Sequence, residues 1–284
     1  MKTIARFCLL SALTALTACS PEEPAAVADK AAPPEIPCAQ HSDPRLQEMN
    51  DVGIELTSSV GLASGRYALP ENAAPTQLVV FFHGHGNDSC SFRRHLQKIT
   101  ARDAVAVSMD YTGQRQEPIE NYGWFVRAGA ADSIAAAQYF LQQYPSITQV
   151  FAMGISMGGN MSGYAMASAD AVRADGSPLF DYWVAIEGVH NLTEEYFIAR
   201  AIAPAVSAGA IAVQEIEEEN GGSFEDVPER YLEITNVARV QDMTGLKGVV
   251  LVHAVDDGLV PYGQSQEMFL ALNAVQVPTE IHTV

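Results

Sequence analysis

The sequence predicts an α/β domain, a doubly wound and mostly parallel sheet with a helical cap inserted late in the chain. Three observations predict it. Short apolar runs recur at residues 78–82, 104–109, 149–153, 181–186 and 248–252, as strands covered on both faces require. Helix-length segments separate them, so strand and helix alternate. Several runs end in glycine-rich loops, where such sheets place their chemistry.

Taken in order, Arg66-Tyr67-Ala68-Leu69-Pro70 reads as an early edge strand. Residues 78–82 form a central strand and empty into His83-Gly84-His85-Gly86-Asn87-Asp88. A charged amphipathic helix follows at 91–102 and a strand at 104–109. The Ala-rich stretch 130–144 repeats apolar residues at helical spacing (Ile134, Ala137, Phe140, Leu141) and is expected to neighbour the next strand, 149–153. After that strand comes Gly154-Ile155-Ser156-Met157-Gly158-Gly159, then a small, apolar helix to Met166. Strands at 181–186 and 248–252 continue the sheet. Residues 192–243 between them are too many for a plain loop. They hold an apolar helical stretch at 196–213 and an acidic run at Glu215, Glu217, Glu218 and Glu219, which reads either as a lid over the site or as a peripheral excursion with a solvated acidic face. A helix at 263–272 and a last strand at 277–284 close the sequence.

A serine hydroxyl attacks only when a sharp turn holds it up beside a base. A strand, a G-x-S-x-G turn and a helix supply that turn, so Ser156 is the expected nucleophile, with Gly154 and Gly158 sitting where a Cβ would collide. These residues resemble the nucleophile elbow of the α/β-hydrolase superfamily. The His83-Gly84-His85-Gly86 loop resembles that superfamily's oxyanion loop. The resemblance implies oxyanion donors in the backbone of Met157 and of His85, or of neighbouring Gly84. As a metal site His83 and His85 are weak, having no Cys, Asp or Glu set beside them. His253-Ala254-Val255-Asp256-Asp257-Gly258-Leu259-Val260-Pro261 resembles the signature that carries the triad acid, with Ala254 where the family usually has glycine. Alignment on Val260-Pro261 selects Asp257, with Asp256 its neighbour.

The base is the missing member. By the family's order it follows the acid by about thirty residues, which falls roughly five residues past Val284, so the sequence reads as a hydrolase cut short at its C-terminus. His282 alternates with Ile281 inside a strand and reads as structural, and His190 is a weaker substitute. Residues from Pro228-Glu229-Arg230-Tyr231 through Gln264-Ser265 resemble the C-terminal part of prolyl-oligopeptidase-type peptidases, although dienelactone-hydrolase-type esterases share much of the pattern.

The N-terminus is a separate device. A basic start and a short apolar segment lead to Leu16-Thr17-Ala18-Cys19, which resembles the lipobox of bacterial lipoproteins. That implies a signal peptide over 1–18, lipidation of Cys19 and an outer-membrane anchor facing the periplasm, since Ser20 follows the cysteine. Residues 19–37, rich in Pro, Ala and Glu, read as a flexible tether to a hydrolase domain over 38–284. In an oxidising compartment Cys38 and Cys90 read first as a disulfide, with two separate thiols as the alternative. The formal charge of −18 argues against nucleic acid as a partner. No cofactor or metal motif is present. The sequence therefore points to a lipid-anchored serine hydrolase cleaving an ester or amide through an acyl-enzyme. A peptidase of prolyl-oligopeptidase type and a non-catalytic binding lipoprotein of the same fold are the alternatives.

Overall fold

The computed structural model describes residues 51–113 and 123–284. The expected signal region, Cys19, the tether and Cys38 lie outside the described residues. Eight strands make one sheet in the order β1-β2-β4-β3-β5-β6-β7-β8. They are β1 (Val52–Ser58), β2 (Gly61–Ala68), β3 (Gln77–Phe82), β4 (Ala104–Met109), β5 (Gln149–Ile155), β6 (Tyr182–Ile186), β7 (Gly248–His253) and β8 (Thr279–Thr283). From β4 to β8 every neighbour is parallel, whereas β2 pairs antiparallel with both β1 and β4. Parallel pairing needs crossovers, and the helices supply them: α1 (Arg93–Thr100), α2 (Val126–Gln143), α3 (Met157–Met166), α4 (Leu192–Ile202), α5 (Ser207–Asn220), α6 (Pro228–Glu233) and α7 (Tyr262–Ala274).

The chain winds outward from β3 in both directions, so β3 and β5 flank the topological switch point. Loops at the carboxyl ends of two such strands diverge and leave a crevice. The central strands are buried throughout: every residue of β4 is covered, as are the last five of β3. Trp183, Tyr111, Tyr196 and Tyr231 are the largest fully buried side chains. A smaller apolar cluster, with Phe81, Phe92 and Leu96, fills the α1 side. Cys90 is buried and disulfide-bonded.

Three readings change. The stretch at 66–70 is not an edge, because β1 pairs outside it. The 196–213 stretch is two helices, α4 and α5, with Pro204 in the break. Finally, α2 lies beside α3 and over β1, β3 and β4, not chiefly on β5. Of the 192–243 segment, α4 and α5 pair with each other, and Tyr196 packs edge-on against Tyr231 of α6 with ring centres 5.0 Å apart.

Candidate active site

At the end of β5 the backbone of Ser156 takes φ 53°, ψ −122°. A residue with a side chain pays about 1–3 kcal/mol to sit there, and keeps the conformation only where its surroundings dictate it. They do so here. A Cβ on Gly158 would stand 2.0 Å from the Phe82 carbonyl oxygen, one on Gly154 2.2 Å from the Gly158 oxygen, and one on Gly159 2.5 Å from Gly188 Cα. The Ser156 N–H donates to Ile186 O at 2.9 Å, and its carbonyl accepts from Gly159 and Val189 N–H at 2.8 and 3.2 Å. The turn is thus clasped between the end of β3 and the segment leaving β6. Met157 opens α3, so its N–H has no earlier helical carbonyl to bond, and the positive end of the helix dipole lies at the serine.

The loop after β3 rests on this turn. A Cβ on Gly84 would lie 3.4 Å from Ser156 Cβ and 3.3 Å from Ile155 O, so that glycine lets the loop approach the serine. His83, fully buried, stacks on Tyr111 at 3.8 Å between ring centres and donates from Nδ1 to Gly84 O at 3.0 Å. Burial lowers its pKa to about 4, so the ring is neutral and acts as a brace. Tyr111 O–H donates to His83 O at 2.9 Å, and Asn87 Nδ2 to His85 O at 3.1 Å. The His85 ring meets Glu215 of α5, Nε2 to Oε2, at 2.5 Å.

Asp257 stands on the loop after β7. Its Oδ1 accepts from the N–H groups of Leu259 and Val260 at 2.8 and 3.2 Å, and Oδ2 lies 3.5 Å from His253 Nε2. Its side chain is 13% exposed, whereas Asp256 is open to solvent. His253 is buried; its Nε2–H donates to Val260 O at 2.9 Å, leaving Nδ1 to accept from Ser265 O–H at 2.7 Å. The ring thereby stiffens the acid loop. Gln264, next to that serine, accepts from His190 and Asn191 N–H through Oε1 and donates to Glu195 at 3.1 Å. Glu195 is pushed up to about 7, first by desolvation and further by the nearby charges of Glu194 and Asp257. Burial therefore favours the protonated form of this carboxyl.

Three other described histidines remain. His282 is exposed on β8 with Nε2 3.0 Å from Glu280. His190 is fully buried edge-on against Trp183, its pKa lowered to about 3 by burial and by His253. His95 lies among Phe81 and Phe92. Among the described residues no group of three His, Cys, Asp or Glu side chains could hold a metal.

Comparison with known proteins fits this geometry. The model of the prolyl oligopeptidase family matches residues 90–284. The chain belongs to the prolyl oligopeptidase family. The match places it among serine hydrolases, and the sheet order and elbow agree. Of solved structures, Pyrococcus horikoshii acylaminoacyl peptidase is 18% identical with a TM-score of 0.64, over 83% of this chain and 36% of that one. An esterase from Pyrobaculum calidifontis is 18% identical with a TM-score of 0.60, over 82% of this chain and 75% of that one. Tuliposide A-converting enzyme b1 of Tulipa gesneriana is 27% identical over 144 residues, 45% of this chain and 37% of that protein. The chain thus spans well under two thirds of the tulip enzyme and of the peptidase.

Two carboxylates went unread in the sequence, Glu187 and Glu195, and Glu215 was read only as part of an acidic run. Glu187 directly follows β6 at φ 49°, its N–H donating to Val252 O at 2.8 Å. A glutamate at a strand end carries no local mark of that conformation. Glu195 and Glu215 owe their environments to segments far away in sequence.

Proposed function

We propose that this chain is a carboxylesterase-like serine hydrolase in which Ser156 attacks an ester carbonyl and forms an acyl-enzyme that water then releases. One observation carries the reading: Ser156 is held at φ 53° with Gly84 against it, so backbone donors and nucleophile share one small space. The Met157 N–H and the His85–Gly84 backbone receive the oxyanion, a stabilisation whose single donors are typically worth about 3 kcal/mol. Asp257 orients the base, its carboxylate aimed by two backbone N–H groups. On the family's order of nucleophile, acid and histidine, the base is a histidine that comes after Asp257.

Family membership keeps peptide bonds as the second reading. Turnover of a short p-nitrophenyl ester set against the matching peptide anilide decides between them. Faster ester cleavage lost in Ser156→Ala supports the proposal, and preference for the anilide moves it to the peptidase. A small ester or peptide is the only partner the chemistry calls for.

The N-terminal proposal stands on sequence alone: lipid on Cys19, a tether over 19–37 and an envelope location, with Cys90 bonded to Cys38. Among the described residues no helix is long and apolar enough to cross a membrane. Labelled palmitate entering the wild type but not Cys19→Ala is the expected result. Equal labelling of both would overturn it.

A further inference from the structure

We propose that Glu215, on α5, is a positioning residue for the oxyanion loop, acting through the imidazole of His85. This rests on the reading of Ser156 as nucleophile. The two side chains meet at 2.5 Å across 130 residues of sequence, with the carboxylate 11% exposed and the imidazole 33% exposed. A hydrogen bond of that length in partial burial fixes a ring direction better than a solvent contact would. A face of the ring is held too. His85 stacks on Trp124 with ring centres 6.1 Å apart, and Trp124 Nε1 donates to Asn160 Oδ1 at 3.4 Å. Asn160 lies on α3, four residues past Ser156, and its Nδ2 donates to Ile234 O at 2.6 Å. The oxyanion loop is therefore clamped between α5 and the nucleophile helix.

Glu215 is free to serve this loop because α5 is docked without it. Glu217 accepts from Tyr196 O–H at 2.6 Å, and Glu219 accepts from Arg127 N–H at 3.0 Å. The acidic run is thus a row of anchors and not a solvated face; Glu218 alone stays on its own helix, paired with Gln214. Losing Glu215 leaves the helix in place and removes one hold on the His85 ring. The backbone at 84–85 then loses its hold on the crevice, where a displacement of about 1 Å can cost 100-fold in rate.

The test uses the full chain with a short acyl ester. Glu215→Ala should lower kcat 10- to 100-fold with KM within twofold and a thermal midpoint within a few degrees. Glu215→Gln, still able to accept from the ring, should recover most of that loss. His85→Ala should match Glu215→Ala, and the double variant should be no worse than either, as residues acting through one contact require. Tryptophan emission reads the clamp without activity: Glu215→Ala should shift it, and the shift should vanish in a Trp124→Phe background. Unchanged kcat, multiplying losses in the double variant, or a change in KM alone would overturn the proposal. Wild-type turnover by Ser156→Ala would overturn the reading beneath it, whereas an intact Ser156 dependence with an unaffected Glu215→Ala would sink only the clamp.

Discussion

Gly158→Ala is the sharpest perturbation of the elbow. The added methyl would be centred 2.0 Å from Phe82 O, 2.6 Å from Phe82 C and 2.7 Å from His83 O, all backbone atoms. Such contacts need more than 3 Å, so about 1 Å must be found by parting α3 from the end of β3. Side chains cannot absorb it, because nothing in the clash is a flexible tip. Parting them separates Ser156 from the Gly84 loop, which lies so near that a Cβ on Gly84 would stand 3.4 Å from Ser156 Cβ. Overpacking of this kind costs about 1–3 kcal/mol of stability, and the misplacement about 100-fold in rate. Gly263→Ala, in α7 with nothing within 4 Å, is the control and should gain up to about 1 kcal/mol. Stopped-flow labelling with a fluorophosphonate, beside thermal unfolding of both variants, measures the two effects separately. A folded Gly158→Ala that labels within threefold of wild type would refute the argument that the glycine sets the nucleophile's position.

Further outcomes follow from the buried titratable groups. Glu195 stays protonated in the folded protein to about pH 7 but ionises near 4.5 when unfolded, so the folded state binds the extra proton between those values and stability falls as pH rises through them. Glu195→Gln should therefore gain about 2–3 kcal/mol over wild type at pH 8 and little at pH 4, by urea unfolding. His83 and His190 titrate near 4 and 3 when folded against 6.5 unfolded. Their contribution is complete above 6.5 and is lost as pH falls toward 3, about 2 kcal/mol each by pH 5. His190→Phe should flatten that acid limb, and an unchanged limb would contradict the assignment. Asp257→Asn should lower kcat by about 10⁴ while Asp256→Asn stays within threefold, in ester turnover.

How much of this was legible depended on how local each cause was. The strands at 78–82, 104–109, 149–153 and 248–252 lie within β3, β4, β5 and β7 because full burial writes itself as an unbroken apolar run. β1 left no such run: Val-Gly-Ile-Glu-Leu-Thr-Ser alternates as an outer antiparallel strand does, and its partner β2 carries glycines at 61 and 65. The elbow was legible because its demand for glycine at 154 and 158 is steric and short-range. Pro204 could have divided 196–213, since a proline interior to a helix removes a hydrogen bond. The His85–Glu215 contact had no signal, being made by two segments 130 residues apart. Likewise the raised pKa of Glu195 comes first from desolvation and then from the charges of Glu194 and Asp257, and it is the packing of α7 and the β7 loop against α4 that buries it.

The most direct test of the central claim is the site of covalent capture. The protein is incubated with a fluorophosphonate, digested, and the adduct located by mass spectrometry. The account predicts a single modified residue, Ser156, with no adduct on Ser156→Ala. Modification elsewhere, or equal labelling of that variant, would contradict it.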